Sequence, residues 1–346
     1  MKTVVRLSVL AGIAGMASSA MAQVVPEIEP NETKAQATLA AGLLPGATLV
    51  GNTTGSSTTV AGPASADTYL VQTAPMPLGI YRWRLALTTT GTAGHAGTIR
   101  GLNQVAATQA PWNPGQVVGT PGVTDTTIQT SSTATTPARM NQWYGFGKGE
   151  SIYYRVTGTT TTTGDYTATL SMDPITPVVL GSFQPGAITI STIGQGHSTD
   201  TDFWVYDGNL NAIRGYGNDD EAISTVSNVP GATGTTLQSA LNRDYAPGIY
   251  YIAISNFQLA NNQPSPSDDD FRTGSLLDFA DAIANSSTTI GLNMAFSITD
   301  SAGTVVVPNT KVGAYDVNWF CFEVVPAPSS LALLGLGGLI LGRRRR

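Results

Sequence analysis

Short runs rich in Val, Ile, Tyr and Thr, broken every few residues by Gly or Pro, fill the chain between residues 23 and 325. Runs of that length and makeup suit strands separated by turns. In the first half the pattern predicts strands at 48–51, 68–72, 81–87, 151–156 and 166–172. In the second half it predicts them at 187–192, 203–206, 249–255, 290–299, 304–307 and 317–325, where apolar positions often alternate as a sheet with one buried face requires. One short helix is expected at 275–284, capped by Ser275, with Leu276, Phe279, Ala280 and Ile283 on one face. The Gly/Thr/Pro-rich stretch 91–139 reads as an elaborated surface loop with one or two edge strands. Asp173-Pro-Ile-Thr-Pro177 reads as a linker, because proline interrupts ladder pairing. The fold class expected is all-β, with two tandem antiparallel β-sandwiches at 23–177 and 178–325.

Composition agrees with this reading and sharpens it. Gly 38, Pro 20 and a charged fraction of 12% leave little material for amphipathic helices. Cys321 is the one cysteine, so no intramolecular disulfide is available, and stability must come from core area or bound cations. Between Gln23 and Val325 there are 11 basic and 23 acidic residues, a net charge of −12. The imbalance lies almost wholly beyond Pro177, where four basic residues face fifteen acidic ones. Such a surface disfavours nucleic acid and anionic membranes and favours inorganic cations, and it equally serves solubility in salt.

The two ends carry targeting chemistry. Lys2 and Arg6 precede an apolar stretch, and Ala20-Met21-Ala22 offers the small-x-small pattern that a signal peptidase cuts, so residues 1–22 read as a signal peptide. At the other end, 326–346, a joint containing Pro326, Pro328 and Ser329 leads to the uncharged apolar run 331–342 and then to Arg343, Arg344, Arg345 and Arg346. As a helix that run reaches about 18 Å, short of a hydrocarbon core of roughly 30 Å, which suits a transient membrane stop held by four arginines on the cytoplasmic side. The tail resembles the PEP-CTERM sorting signal, with Ala327 where that family usually has Glu. The resemblance implies processing by an exosortase-type protease near the Pro-Ser joint and delivery to the cell surface or extracellular matrix.

A second resemblance rests on Glu29-Pro-Asn-Glu-Thr33, Ala35, Ala37, Leu39, Gly46 to Gly51, Asp67-Thr-Tyr69 and Gly79-Ile-Tyr81. These look like the bacterial pre-peptidase C-terminal domain, a small jelly-roll β-sandwich. Asp200-Thr-Asp202-Phe-Trp-Val-Tyr206, Asn218-Asp-Asp220 and 247–254 repeat the scheme more loosely.

Clustered carboxylates and amides beside turns are what calcium seeks, since it takes six to eight hard oxygen ligands. Glu27, Glu29, Asn31 and Glu32 form one such cluster, and an extended backbone sends the first three to one side. The resemblance implies Asp67 as a further ligand there. The same acidic opening also fits a solvated linker. Asp200, Asp202, Asp207, Asn209, Asn218, Asp219, Asp220 and Glu221 form the second cluster, in which Asp207, Asn209, Asn218 and Asp219 also fit as turn formers.

Catalysis finds little support. His95 and His197 both read as loop histidines without a Ser-His-Asp or His-Glu-x-x-His pattern. A glycosidase carboxylate pair leaves no spacing signal, so a secreted hydrolase stays as an alternative. A carbohydrate-binding module is another, with Trp204, Tyr206 and Tyr216 as its sugar platform, against which Trp204 at least fits the core, since Phe203 and Val205 face the opposite side and one set must be inward. The reading that follows is an exported, non-enzymatic surface protein with a structural or adhesive role. Its partners would be signal peptidase, an exosortase-type protease and extracellular polysaccharide, and calcium would be its structural ion. Mass spectrometry of the surface-exposed form is expected to show a chain that begins near Gln23 and lacks all four terminal arginines; a surface form that keeps them refutes the processing.

Overall fold

A computed structural model describes residues 23–53, 65–90, 94–104, 122–158, 163–223, 229, 233–263 and 274–326. Among them the chain is almost wholly β, with one 3-10 turn at Lys34–Gln36 and several sheets. No helix among the described residues is long and apolar enough to cross a membrane.

Two sheets share the first core. One has seven strands in the order Val24–Pro26, Thr48–Thr53, Gly164–Ile175, Ile80–Thr89, Met140–Gly145, Ala282–Asn285 and Leu259–Ala260. The other runs Thr38–Leu43, Ala66–Thr73, Ser151–Gly158, His95–Gln104 and Gly274–Leu276, with Val123–Ser131 also paired to His95–Gln104. Period-two alternation makes the core. Trp83, Leu85 and Leu87 point inward from one strand, Ile152, Tyr154 and Val156 from another, and Tyr166, Ala168 and Leu170 from a third. Trp83 and Trp143 are cross-strand partners and stack with ring centroids 6.3 Å apart.

The second core lies between a five-stranded and a four-stranded sheet. The first of these is ordered Val178–Phe183, Asn318–Val324, Gly248–Asn256, Thr201–Tyr206 and Ala212–Asn218, and the second Ala240–Tyr245, Gly186–Ser191, Phe296–Asp300 and Gly303–Val307. Phe203, Val205, Ile252, Ile254, Phe320 and Phe322 meet Ile188, Ile190, Leu241, Phe296 and Ile298 there.

A third cluster joins the two halves. Trp204, Tyr206, Ala253 and Trp319 leave the other face of the five-stranded sheet and pack on Ile80, Tyr144 and Phe146 of the first half and on Ile283, which lies in the same seven-stranded sheet. Every residue of Thr201–Tyr206 is therefore buried, and the one-buried-face pattern expected there does not apply. Trp204 and Tyr206 are each 1% exposed, which removes them as a sugar platform. Tyr216 is half-buried and its hydroxyl donates to the Asp244 carbonyl.

Three local expectations are corrected. Residues 275–284 form no helix: Gly274–Leu276 pairs with His95–Gln104 and Ala282–Asn285 with Met140–Gly145, so partners remote in sequence override a helical spacing. Strand pairing also continues past Asp173, through Pro174 opposite Tyr81 to Ile175 opposite Ile80. Beyond Leu170 that strand has a sheet neighbour on one side alone, the edge condition under which proline is tolerated. The stretch 91–139 is more than a surface loop, because His95–Gln104 lies inside its sheet and Ile99, Leu102 and Ile128 are buried.

Polar ties also cross between the halves. Arg82 pairs with Asp316 at 3.4 Å, and within the second half the buried Lys311 ties Asn256 of the five-stranded sheet to Asn285 of the seven-stranded sheet, donating to both Oδ1 atoms at 2.7 Å and to the Ser287 carbonyl at 2.8 Å. A Cβ on Gly217 would stand 2.6 Å from the Trp204 ring, so only glycine lets the neighbouring strand lie on it. Trp204→Ala is expected to cost about 3–5 kcal/mol and Gly217→Ala about 1–3 kcal/mol in urea unfolding followed by circular dichroism. Losses below about 0.5 kcal/mol would contradict the doubly covered sheet.

Candidate metal centres

The opening segment is laid down by two local devices. Val24–Pro26 pairs in parallel with Thr48–Val50, and the Glu27 amide donates to the Val50 carbonyl, which brings Glu27 beside Gly51 and Asn52. The Thr68 amide donates to the Asn31 carbonyl, which sets Asn31 next to Asp67 at the start of a core strand. A Cβ on Gly51 would collide with the Glu27 carboxylate and the Tyr166 hydroxyl, so the approach needs glycine.

Glu27, Glu29 and Asp67 each offer a carboxylate oxygen, all within 4.8 Å of one another. Calcium ligands stand about 2.3–2.6 Å from the ion, so two oxygens on one ion lie at most about 5 Å apart, and this spacing fits. Asn31 is fully buried, and neither its Oδ1 nor its Nδ2 has a hydrogen-bond partner. Asp67 is also 0% exposed, and neither of its oxygens accepts a bond. Orphaned buried polar atoms are rare and costly. The other two acids are partly engaged: Glu27 Oε1 accepts from the Asn52 amide at 2.9 Å and Glu29 Oε2 from the Asn31 amide at 3.1 Å. Glu32 is exposed and stands outside the group.

Burial pushes the Asp67 carboxyl up to about 8, and the charges of Glu27 and Glu29 push the same way, while the nearby Tyr166 hydroxyl opposes them in part. That hydroxyl lies 2.9 Å from the Tyr69 hydroxyl, and burial raises both phenols. Tyr69, Tyr166 and Gly51 wall the site. Gly51 and Tyr69 fall within the pre-peptidase resemblance, but Tyr166 looks like an ordinary alternating core position and carries no local signal.

At the second cluster Asp200, Asp219 and Asp220 offer oxygens within 4.8 Å of one another. Asp202, 2% exposed, accepts from the Leu259 amide at 2.8 Å through Oδ2. Two of the expected residues serve the backbone instead. Asp207 Oδ1 accepts from the Asn209 and Asn211 amides, both at 2.9 Å, and despite partial burial these bonds and that of the Asn211 side chain hold its carboxyl below the usual range. Asn218 Oδ1 accepts from the Ala240 amide at 2.8 Å. Of the sorting residues, Pro326 is the last one described and is exposed; Ala22, Pro328, Ser329 and Arg343 to Arg346 lie outside the described residues.

Both histidines make structural bonds. His95 is buried on a strand, not in a loop, with Nε2 2.7 Å from Thr53 Oγ1, and His197 Nε2 is 2.8 Å from the Ala295 carbonyl. A cleft of about 530 Å³ lies at the junction of the halves, and its two charged side chains, Arg82 and Asp316, pair with each other. It offers no two converging carboxylates. No protein-family model matches the chain, and no curated protein matches it in sequence.

The Asp67 carboxyl sets a pH dependence for the cation-free protein. Its value in the fold lies above the ordinary 3.8, so the native state holds a proton that the unfolded chain has lost. Stability is expected to fall as pH rises from about 4 towards 8. Urea midpoints in a chelating buffer at pH 5 and pH 8 measure this slope, which Asp67→Asn should flatten; an equal slope in that variant would remove Asp67 as its source.

Proposed function

We propose that this chain is an exported, non-enzymatic protein of the cell surface or extracellular matrix, made of two β-sandwich modules of jelly-roll type. The first module closes its opening segment over a calcium ion. The observation that carries this reading is the pair of fully buried, unpartnered side chains, Asp67 and Asn31, beside Glu27 and Glu29. Three carboxylates and a carboxamide oxygen are hard ligands on adaptable backbone, the donor set that calcium takes. An ion there would neutralise three converging charges and fasten the first strand after the signal peptide to the sheet. The ends of the chain supply the rest: a signal peptide, and a PEP-CTERM-like tail for an exosortase-type protease. A structural or adhesive role follows from two stacked cores, an acidic second half and histidines spent on structural bonds. Cation bridging between the acidic surface and extracellular polysaccharide would be the adhesive interaction.

Calcium at a hundredfold excess over its dissociation constant stabilises a single site by about 2.7 kcal/mol, a rise in melting temperature of roughly 4 °C for a chain of this size. Differential scanning calorimetry with and without a chelator is expected to show that rise in the parent protein and to lose this site's share of it in Glu27→Gln/Glu29→Gln. A melting temperature that calcium leaves unchanged would sink the proposal.

A further inference from the structure

A second group of acids lies where the two halves meet. Asp200 precedes the buried strand Thr201–Tyr206, Asp202 lies within it, and Asp219 and Asp220 follow Ala212–Asn218 on the neighbouring strand. The oxygens of Asp200, Asp219 and Asp220 fall within the span that one ion can bridge. Asp202 adds an independent observation. Its side chain is 2% exposed, Oδ1 has no partner, and the acidic charges that bear on it are those of Asp200 and Asp220. Oδ1 of Asp200 is likewise buried and unpartnered. Neither Asp200 nor Asp202 forms an ion pair among the described residues.

The other oxygen of Asp202 accepts from the Leu259 amide at 2.8 Å. Leu259 begins the last strand of the seven-stranded sheet, and its side chain belongs to the cluster that joins the halves. Ala260 and Leu277, further along the same segment, are buried in the first core. One carboxylate therefore holds the crossing segment with one oxygen and leaves the other without a partner, within the influence of the Asp200 and Asp220 charges. We propose that Asp200, Asp202, Asp219 and Asp220 bind a divalent cation of the calcium class, and that this ion fastens the segment beginning at Leu259 to the second half. Without it, the clustered carboxylates repel one another, and the segment is held by the Asp202–Leu259 bond with no ion behind it. With it, the charge is balanced and Asp202 stays in place. The site shares no residue with the opening-segment site.

Calcium stoichiometry by equilibrium dialysis on the full chain, joined to hydrogen exchange of the peptide covering residues 257–263, tests this. The parent protein is expected to bind two ions. At a calcium concentration ten times the dissociation constant, exchange at 257–263 should slow about tenfold. Asp219→Asn/Asp220→Asn should bind one ion fewer and lose the protection. Asp200→Asn, which leaves the Leu259 bond untouched, should do the same and guards against a folding defect in the double variant. Glu27→Gln/Glu29→Gln should keep the protection at 257–263. If the parent binds one ion that Asp219→Asn/Asp220→Asn abolishes, the opening segment is empty and this site stands. Full stoichiometry with full protection in both the Asp200 and the Asp219/Asp220 variants would overturn the proposal, as would exchange at 257–263 that calcium leaves unchanged in the parent.

Discussion

The burial of Thr201–Tyr206 on both faces is the constraint on which the rest of the molecule depends. A sheet with one wet face can end a fold, whereas a sheet with two apolar faces must be covered twice. Phe203 and Val205 are covered by the four-stranded sheet, and Trp204 and Tyr206 by Ile80, Phe146 and Ile283 of the seven-stranded sheet and the turn that follows it. Large aromatic side chains bury 150–250 Å² each, so this shared strand binds the halves more strongly than the polar ties around it. The ion pair of Arg82 with Asp316 then fixes the relative position that the aromatic surface leaves free to slide, and Lys311 ties the five-stranded sheet to the late strand of the seven-stranded one.

Close packing also explains why acids stay unspent in dry places. Asp67 and Asp202 sit at or within strands whose neighbours are already fixed by ladder bonds, so neither can swing out to water. Asp202 recovers one bond from Leu259, and Asp67 recovers none. Asp207 shows the contrast. At a turn, with two bonds from the Asn209 and Asn211 amides and a third from the Asn211 side chain, an aspartate is held by its own loop.

Alternation made most strands legible, because the period of two is local information. Ile80–Thr89, Ser151–Gly158 and Gly248–Asn256 lie where the pattern placed them, within a residue or two at their ends. What failed needed a partner that the local pattern cannot see. Leu276 and Ile283 have helical spacing but enter two different sheets, and Pro174 pairs on because one side of its strand is open. The gathering of Glu27, Glu29 and Asn31 was readable from spacing, and Asp67 from resemblance. In the second cluster the turn-former reading of Asp207 was local information, and its bonds from the Asn209 and Asn211 amides follow it, whereas the Ala240 amide that Asn218 meets is remote in sequence and was not legible.

The path of residues 259–285 has a consequence for how the molecule is assembled. The ribosome releases the strands of the first core in order, yet two strands of the seven-stranded sheet and one of its facing sheet come from late in the chain. Until they emerge, Met140–Gly145 presents a bare edge, the kind of template on which nascent chains stick to one another. The leading half is thus no free-standing apprentice that matures while its sequel is translated, and a holdase that shields that edge would find its client here.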